Sequence, residues 1–534
     1  MNVTTIASQI RIKISEGVAE LKRSAIMRMA VDDIIKHNGL LDETVLRQMT
    51  DEQLMAQLTK ALLIAWPFPL ALAYEAIGEQ LRSFAEIVGI LNDPALNKFV
   101  RVTPDHCVLR DSRIPPEDFK KDLFRLLFGD QSMSRQLLRT LKLTNFLSFG
   151  PDSQEVHLTP LNVLIGPNAS GKSNFIEAIE LLHATPTDFS DPIRIGGTAG
   201  EWLWKGLVPA KPAELEARLW LASSALELRY RLAFTDANSR VEVVDEVLEE
   251  TTPRRGDQTD VFFYYRYQHG HPVLNVRQVV EDEVTAREYV QRRLQRESLN
   301  PEQSVLSQRK DPDLYPELTR VAGEFSRIQI FREWEFGRSA RLRRAQLADL
   351  PSDTLLPTIV NLGLVLNDLE HRDSWPRFLE QMQRFLPRFK RLTTKIQGGT
   401  VQIYLHEDGL RTPVPATRLS DGTIRFLALL AVLLNPGAAP LLCIEEPELG
   451  LHPDALAIIA ELLVEAKART QIIVTTHSDV LVSALTEEAD SVLVSEYGGG
   501  GTELRRLESA KLKHWLEKYR LGEIWRIGKL GGNL

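Results

Sequence analysis

Apolar positions change their period along the chain. Val3, Ile6, Ile10, Ile14, Val18 and Leu21 recur at helical spacing, His37-Asn38-Gly39 supplies a stop, and Leu54, Leu58 and Leu62 begin a second apolar face. Residues 1–130 are therefore expected to form an all-α module. It includes a hinge at Arg113–Asp118, where Pro115 and Pro116 intervene, and ends in a helix Phe119–Phe128. From Leu137 the pattern shortens to strands, at Leu138–Thr144, Val156–Leu158 and the run Leu161–Ile165, apolar but for Asn162. Ala217–Leu221, Glu227–Phe234, Val241–Leu248, Val261–Tyr267 and Val273–Val276 predict an antiparallel sheet, and Val284–Gln346 an arginine-rich helical segment. Strand and helix signals resume at Val401–Leu405 and Thr423–Leu434, the latter stopped by Asn435-Pro436-Gly437. Gly498–Gly501 reads as a hairpin loop, and no tandem repeat is visible.

The candidate chemistry sits where apolar strands end. Leu161–Ile165 runs into Gly166, Pro167, Asn168, Ala169, Ser170, Gly171, Lys172 and Ser173, and an amphipathic helix opens at Asn174. A glycine-rich turn between a strand and a helix is what phosphate binding requires. Glycines let backbone N–H groups face inward, the helix N-terminus adds partial positive charge, Lys172 reaches the outer phosphates of ATP and Ser173 ligates Mg²⁺. Leu441–Glu448, LLCIEEPE, is a second apolar strand, and it ends in adjacent carboxylates. A strand interior cannot bury two unpaired charges, so the acids mark a site at a sheet edge. Glu445 is assigned to Mg²⁺, and Glu446 to orienting and polarising the attacking water. Leu419–Thr423, LSDGT, precedes a helix and places Ser420 and Gly422 at an N-terminus suited to an anion. Gln471–Ser478, QIIVTTHS, is a buried strand with His477 at its tip.

Length and composition bound the rest. A chain of 534 residues exceeds what one core normally supports, so two or three domains are expected. A net charge of −8 gives no global sign of nucleic-acid binding. Two cysteines, Cys107 and Cys443, are too few for a disulfide framework and fit a reducing cytoplasm, with Cys443 as a small core residue. The most apolar stretch, Ala61–Ala73, is broken by Pro67 and Pro69 and is too short to span a bilayer. No membrane association and a cytoplasmic location are expected.

The order GPNASGKS, LSDGT, IEEPE with GLHPD, then TTHS resembles the ABC-type ATPase head of the SMC, RecF and OLD-like families. Leu141–Phe149, LKLTNFLSF, is similar to the first strand of those heads. The resemblance covers about residues 134–534 and extends to the stand-alone predicted ATPases of bacteria and to the PtuA ATPases of Septu and retron defence systems. It implies an α/β P-loop NTPase fold of ABC-ATPase type with an inserted β/helical lobe, preceded by the all-α module. The implied domains are 1–130, 134–210 with the phosphate loop, 211–345 as the insertion, and 346–534 with the remaining motifs.

The resemblance also implies a homodimer around two ATP molecules. Lys172 and Ser173 then act in cis, Ser420 and Gly422 in trans, His477 senses the γ-phosphate, and Leu449–Asp454 couples the two sites. Asp421 stands where transport ATPases have glycine, which places the signature on the SMC and RecF side. The Q-loop glutamine has no clear counterpart: Gln308 is one candidate, and Asp191–Gly206, with Arg194, Gly196, Gly197 and Trp204, is its alternative. Residues 1–130 are the candidate dock for an effector such as a nuclease.

Two nuclease signals are set aside. Arg101 and His106 have the spacing of HEPN ribonucleases but enclose Pro104, and no Asp-x-Asp pair of a TOPRIM nuclease follows His477. Arginines alternate with glutamates between Arg292 and Glu335, the pattern of an ion-paired, solvated face. Arg338, Arg341, Arg343 and Arg344 are less compensated and are the candidate contacts for nucleic-acid phosphates. They are the basis for the rival reading, a clamp acting directly on DNA.

Overall fold

The computed structural model describes residues 100–103, 106–109 and 136–531, apart from 222–225, 254–259, 269–270, 280–286, 296–298, 333, 335, 338–339, 436 and 438. Most of the expected all-α module, with the hinge Arg113–Asp118 and the helix Phe119–Phe128, lies outside the described residues. The part that is described is an antiparallel hairpin of Val100–Thr103 with His106–Leu109. Here the chain departs from the all-α expectation, because Val100, Val102, Thr103 and Val108 are β-branched and favour strands. Arg101 and His106 thus stand on two strands rather than on one helix.

Residues 134–221 and 226–534 form one compact unit. Its centre is a six-stranded sheet of β1 (Leu161–Ile165), β2 (Gln329–Phe331), β3 (Leu441–Glu445), β4 (Gln471–Thr475), β5 (Val492–Gly498) and β6 (Gly501–Arg506), in the order β2-β3-β4-β1-β5-β6. All neighbours are parallel except β5 and β6, which form a hairpin. Every residue of β1 and β4 is buried, as expected when both faces of a parallel sheet are covered.

Alternation along the strands divides the molecule into two cores. Leu161, Val163 and Ile165 of β1, with Leu442 and Ile444 of β3, pack into one that includes the helices α2 (Asp421–Leu433) and α3 (Pro453–Ala466). Leu164, Leu441, Cys443 and Ile473 face the other, which holds the helix α1 (Lys172–Ala184) and an eight-stranded antiparallel sheet. Cys443 is buried there, and burial pushes its thiol pKa up, as suits a core residue. Among the described residues no helix is long and apolar enough to cross a membrane.

The eight-stranded sheet contains all five strands expected between Ala217 and Val276, plus Leu138–Thr144, Val156–His157 and Arg287–Arg293. The last of these corrects the sequence reading of Val284–Gln346 as helical. Arg287–Arg293 pairs with His271–Val279, setting Val290 opposite Val276, and Tyr289 packs edge-on against Phe262 and Tyr264. Its arginines mimic a solvated helix, but long-range pairing decides the outcome. The rest of the segment supplies the helix Pro316–Ser326 and the strand β2.

Glu246 lies inside this lobe, 1% exposed. Its carboxyl accepts hydrogen bonds from the hydroxyls of Tyr230 (2.8 Å) and Ser304 (2.5 Å) and from Val305 N–H (2.9 Å). Burial raises its pKa from 4.5 to about 7, against the pull of those three donors. A carboxyl raised in the folded state stabilises fully below the ordinary value, and the stabilisation disappears as pH climbs through about 7. Melting temperature should therefore fall between about pH 5 and 8, by the equivalent of about 3 kcal/mol at most. Glu246→Gln should flatten that slope, and an unchanged pH profile in the variant would remove Glu246 as its source.

Candidate active site

Three adjacent parallel strands end in the chemistry singled out above. Glu445 pairs with Thr475 and Thr475 with Leu164, so the carboxyl ends of β3, β4 and β1 are level. From them emerge Glu446 and Glu448, then Thr476 and His477, then the loop Gly166–Gly171.

The loop is shaped by its glycines. Gly171 has φ +99° and Ala169 +61°, and Gly166 has +150°. A Cβ on Gly166 would lie 2.3 Å from Ser495 O, and one on Gly171 2.2 Å from Thr502 Oγ1, so β5 and β6 exclude side chains at both positions. These strands also hold the loop: Ser170 O accepts from Ser495 Oγ (2.7 Å) and Thr502 Oγ1 (3.0 Å). α1 then begins at Lys172 without a side-chain cap, leaving the first-turn N–H groups to an anion. Pro167 is half-buried, and Asn168, Ala169 and Ser173 are exposed. Asn174, the next residue along α1, donates its amide to Ser148 Oγ (2.8 Å).

Lys172 is only 6% exposed, and its Nζ donates to the carbonyls of Gly166 (2.9 Å) and Pro167 (2.8 Å). Burial lowers its pKa, while Glu446, Glu445 and Glu448 oppose that shift. Glu446 has φ +45°, a left-handed conformation costing a non-glycine residue on the order of 1–3 kcal/mol. It is held there by its N–H on Thr475 O (3.0 Å) and by Arg425, which donates to Glu446 O (3.1 Å). Its carboxylate stands 3.6 Å from His477 Nε2. Burial and the Lys172 charge lower the His477 pKa, favouring neutral imidazole, with Glu446 and Glu448 pulling the other way.

Sequence reasoning missed two further groups. Glu448 Oε1 accepts from Thr476 Oγ1 and His477 N–H, both at 2.7 Å, so it ties β3 to β4. Its position as the third acid of the run was the available signal. Arg332, directly after β2, donates from Nε to Glu445 Oε2 at 2.8 Å. A basic residue closing a short apolar strand is a weak signal, and its partner is remote in sequence.

Ser420 caps α2, accepting from Thr423 N–H at 3.0 Å, and is exposed. A Cβ on Gly422 would lie 2.6 Å from Gly450 O, so glycine lets α2 approach the loop after the acids. In that loop Leu449 is 51% exposed, and His452 caps α3.

The basic segment divides. Arg338 lies outside the described residues, and Arg341 and Arg344 are exposed. Arg343 is 4% exposed and donates to Phe336 O, Ala416 O and Leu419 O and to the Asp421 carboxylate. It is therefore not a nucleic-acid contact, because its donors fix the turn before α2. The hydrogen bonds of the Q-loop candidates are local. Gln308 donates to Asn300 O and Gln303 O, and Arg194 is engaged by Asp188 and Ser190.

The donor set suits a nucleotide with Mg²⁺. Glu445 Oε1 and Ser170 Oγ are buried without a hydrogen-bond partner, so both oxygens are free to meet a ligand. Among the described residues no group of three His, Cys, Asp or Glu forms a protein-only metal cage. Mg²⁺ commonly takes one or two protein oxygens and completes its shell with phosphates and water.

A family profile described as "AAA domain, putative AbiEii toxin, Type IV TA system" matches residues 161–483. No curated protein matches the chain. Among solved structures, an Smc head bound to the C-winged helix domain of ScpA is 16% identical, with a TM-score of 0.45, covering 70% of this chain and 99% of that one. The Smc head domain with an extended coiled coil from Pyrococcus furiosus, bound to the C-terminal domain of ScpA, is 14% identical, with a TM-score of 0.44 and coverage of 72% and 99%. The SMC head domain from Thermotoga maritima is 15% identical, with a TM-score of 0.36 and coverage of 70% and 100%.

Proposed function

Since the chain belongs to this family of AAA-domain P-loop ATPases, we propose that it is an Mg²⁺-dependent ATP hydrolase whose two copies close around ATP and thereby regulate a partner effector. One observation carries the reading: Lys172, Glu445, Glu446, Glu448 and His477 gather at the ends of three neighbouring strands beside an uncapped helix N-terminus.

Lys172 leaves the Gly166 and Pro167 carbonyls for the phosphates, and the first N–H groups of α1 complete the cradle. Ser173 and Glu445 hold Mg²⁺, which when bound neutralises charge on the phosphate oxygens. Glu446, already aimed by its left-handed backbone, orients the attacking water and takes its proton. His477, 3.6 Å away, donates toward the γ-phosphate from a neutral ring. Ser420 and the N-terminus of α2, exposed on this chain, face the nucleotide of the second copy. Residues 1–130 dock the effector, to be sought among nucleases of anti-phage defence.

The DNA-clamp reading loses Arg343 and rests on Arg338, Arg341 and Arg344. Steady-state ATP turnover with Mg²⁺, alone and with duplex or single-stranded DNA, separates the two. Turnover indifferent to DNA is the expected result, strong stimulation would replace the regulator by the clamp, and no turnover under any condition would remove the hydrolase.

A further inference from the structure

β2 pairs with β3 so that Phe331 is opposite Ile444, and the next residue on each strand is Arg332 and Glu445. The Arg332 guanidinium spreads over three carboxylates: Nε to Glu445 Oε2 at 2.8 Å, Nη1 to Glu180 Oε2 at 2.9 Å and Nη2 to Glu177 Oε1 at 3.2 Å. Glu177 and Glu180 lie on α1, the helix that also carries Ser173. One cation thus braces the acidic strand against the helix of the phosphate loop.

The contact with Glu445 is one-sided. Oε2 is engaged by Arg332, and Oε1 is buried and has no hydrogen-bond partner. A carboxylate that rotates freely presents either oxygen, whereas one pinned through Oε2 presents Oε1 alone. Losing a neighbour that orients a metal-ligating carboxylate typically costs about ten- to a hundredfold in metal affinity. At Glu177 burial raises the pKa, and Arg332 opposes that rise.

We propose that Arg332 is a positioning residue for Mg²⁺ binding, holding Glu445 by Oε2 so that Oε1 faces the metal, with Glu177 and Glu180 fixing its guanidinium relative to Ser173. The inference rests on the nucleotide-site reading above, and the two fail differently.

The test is a Mg²⁺ titration of the binding of a fluorescent ATP analogue to the full chain, with a second set in EDTA. Arg332→Gln should raise the half-saturating Mg²⁺ concentration about ten- to a hundredfold while leaving metal-free binding unchanged. Glu180→Gln, which removes one brace at a partly exposed position, should shift it less and in the same direction. Equal losses with and without Mg²⁺ would mark Arg332 as a structural ion pair only and overturn the proposal. Should Arg332→Gln not fold, Glu180→Gln decides: a shifted Mg²⁺ dependence upholds the brace and an unshifted one overturns it. Parental binding that ignores Mg²⁺ would bring down the nucleotide-site reading together with this inference. Parental dependence with no shift in either variant would bring down this inference alone.

Discussion

Glu446→Gln should bind ATP about as well as the parent chain and hydrolyse it at least about a hundredfold more slowly, with an ATP-dependent dimer accumulating. The amide keeps the size of the side chain and can hydrogen-bond a water, but it cannot take up a proton. Its backbone conformation at φ +45° should survive, because Thr475 and Arg425 hold main-chain atoms of residue 446 and not its carboxylate. Binding depends on Lys172 and the cradle, which the substitution does not touch. The charge removed stands 3.6 Å from His477, so the imidazole loses a neighbour that favours its protonated form. Turnover and size-exclusion chromatography with light scattering, both in Mg²⁺ and ATP, check the two halves. Hydrolysis at the parental rate would remove Glu446 as the water-activating base, and a slow variant that stays monomeric would separate the chemistry from the proposed dimer.

The features legible in the sequence were those whose physical cause is local. Leu161–Ile165 announces a strand buried on both faces by a run apolar at every position but Asn162, and Gly166 and Gly171 announce a turn no other residue fits. Ser420 and α2 follow the capping rule closely enough that the expected start, Thr423, misses by two residues. What the sequence hid depends on distant partners. Arg332 lies 113 residues from Glu445 and 155 from Glu177, and no local pattern joins them. Arg343 reads like its exposed neighbours Arg341 and Arg344, yet its guanidinium closes on carbonyls more than 70 residues ahead. Charge pattern alone cannot tell a buried clamp from a phosphate contact. The strand Arg287–Arg293 was hidden for the same reason, since its place is set by the edge of a sheet built elsewhere.

Lys172→Ala should abolish nucleotide binding, and two losses combine to make this the largest effect expected. Charge-assisted hydrogen bonds are worth about 1.5–3 kcal/mol each, so losing one or two to phosphate weakens binding by about tenfold to about ten-thousandfold. The second loss is electrostatic. Lys172 is the cation that Glu445, Glu446 and Glu448 all act upon, and without it these acids confront the phosphates of ATP with less compensation from the protein. Arg332 does not substitute, because its guanidinium is committed to Glu445, Glu177 and Glu180. Lys172→Arg keeps the charge, but a planar fork replaces the compact ammonium between the Gly166 and Pro167 carbonyls, so it should recover binding only in part. Calorimetric titration with Mg·ADP, alongside a melting curve to confirm folding, separates lost binding from lost structure. A folded Lys172→Ala variant within about threefold of the parental affinity would sink the phosphate-loop reading, and the roles given to Glu446, His477 and Arg332 would go with it.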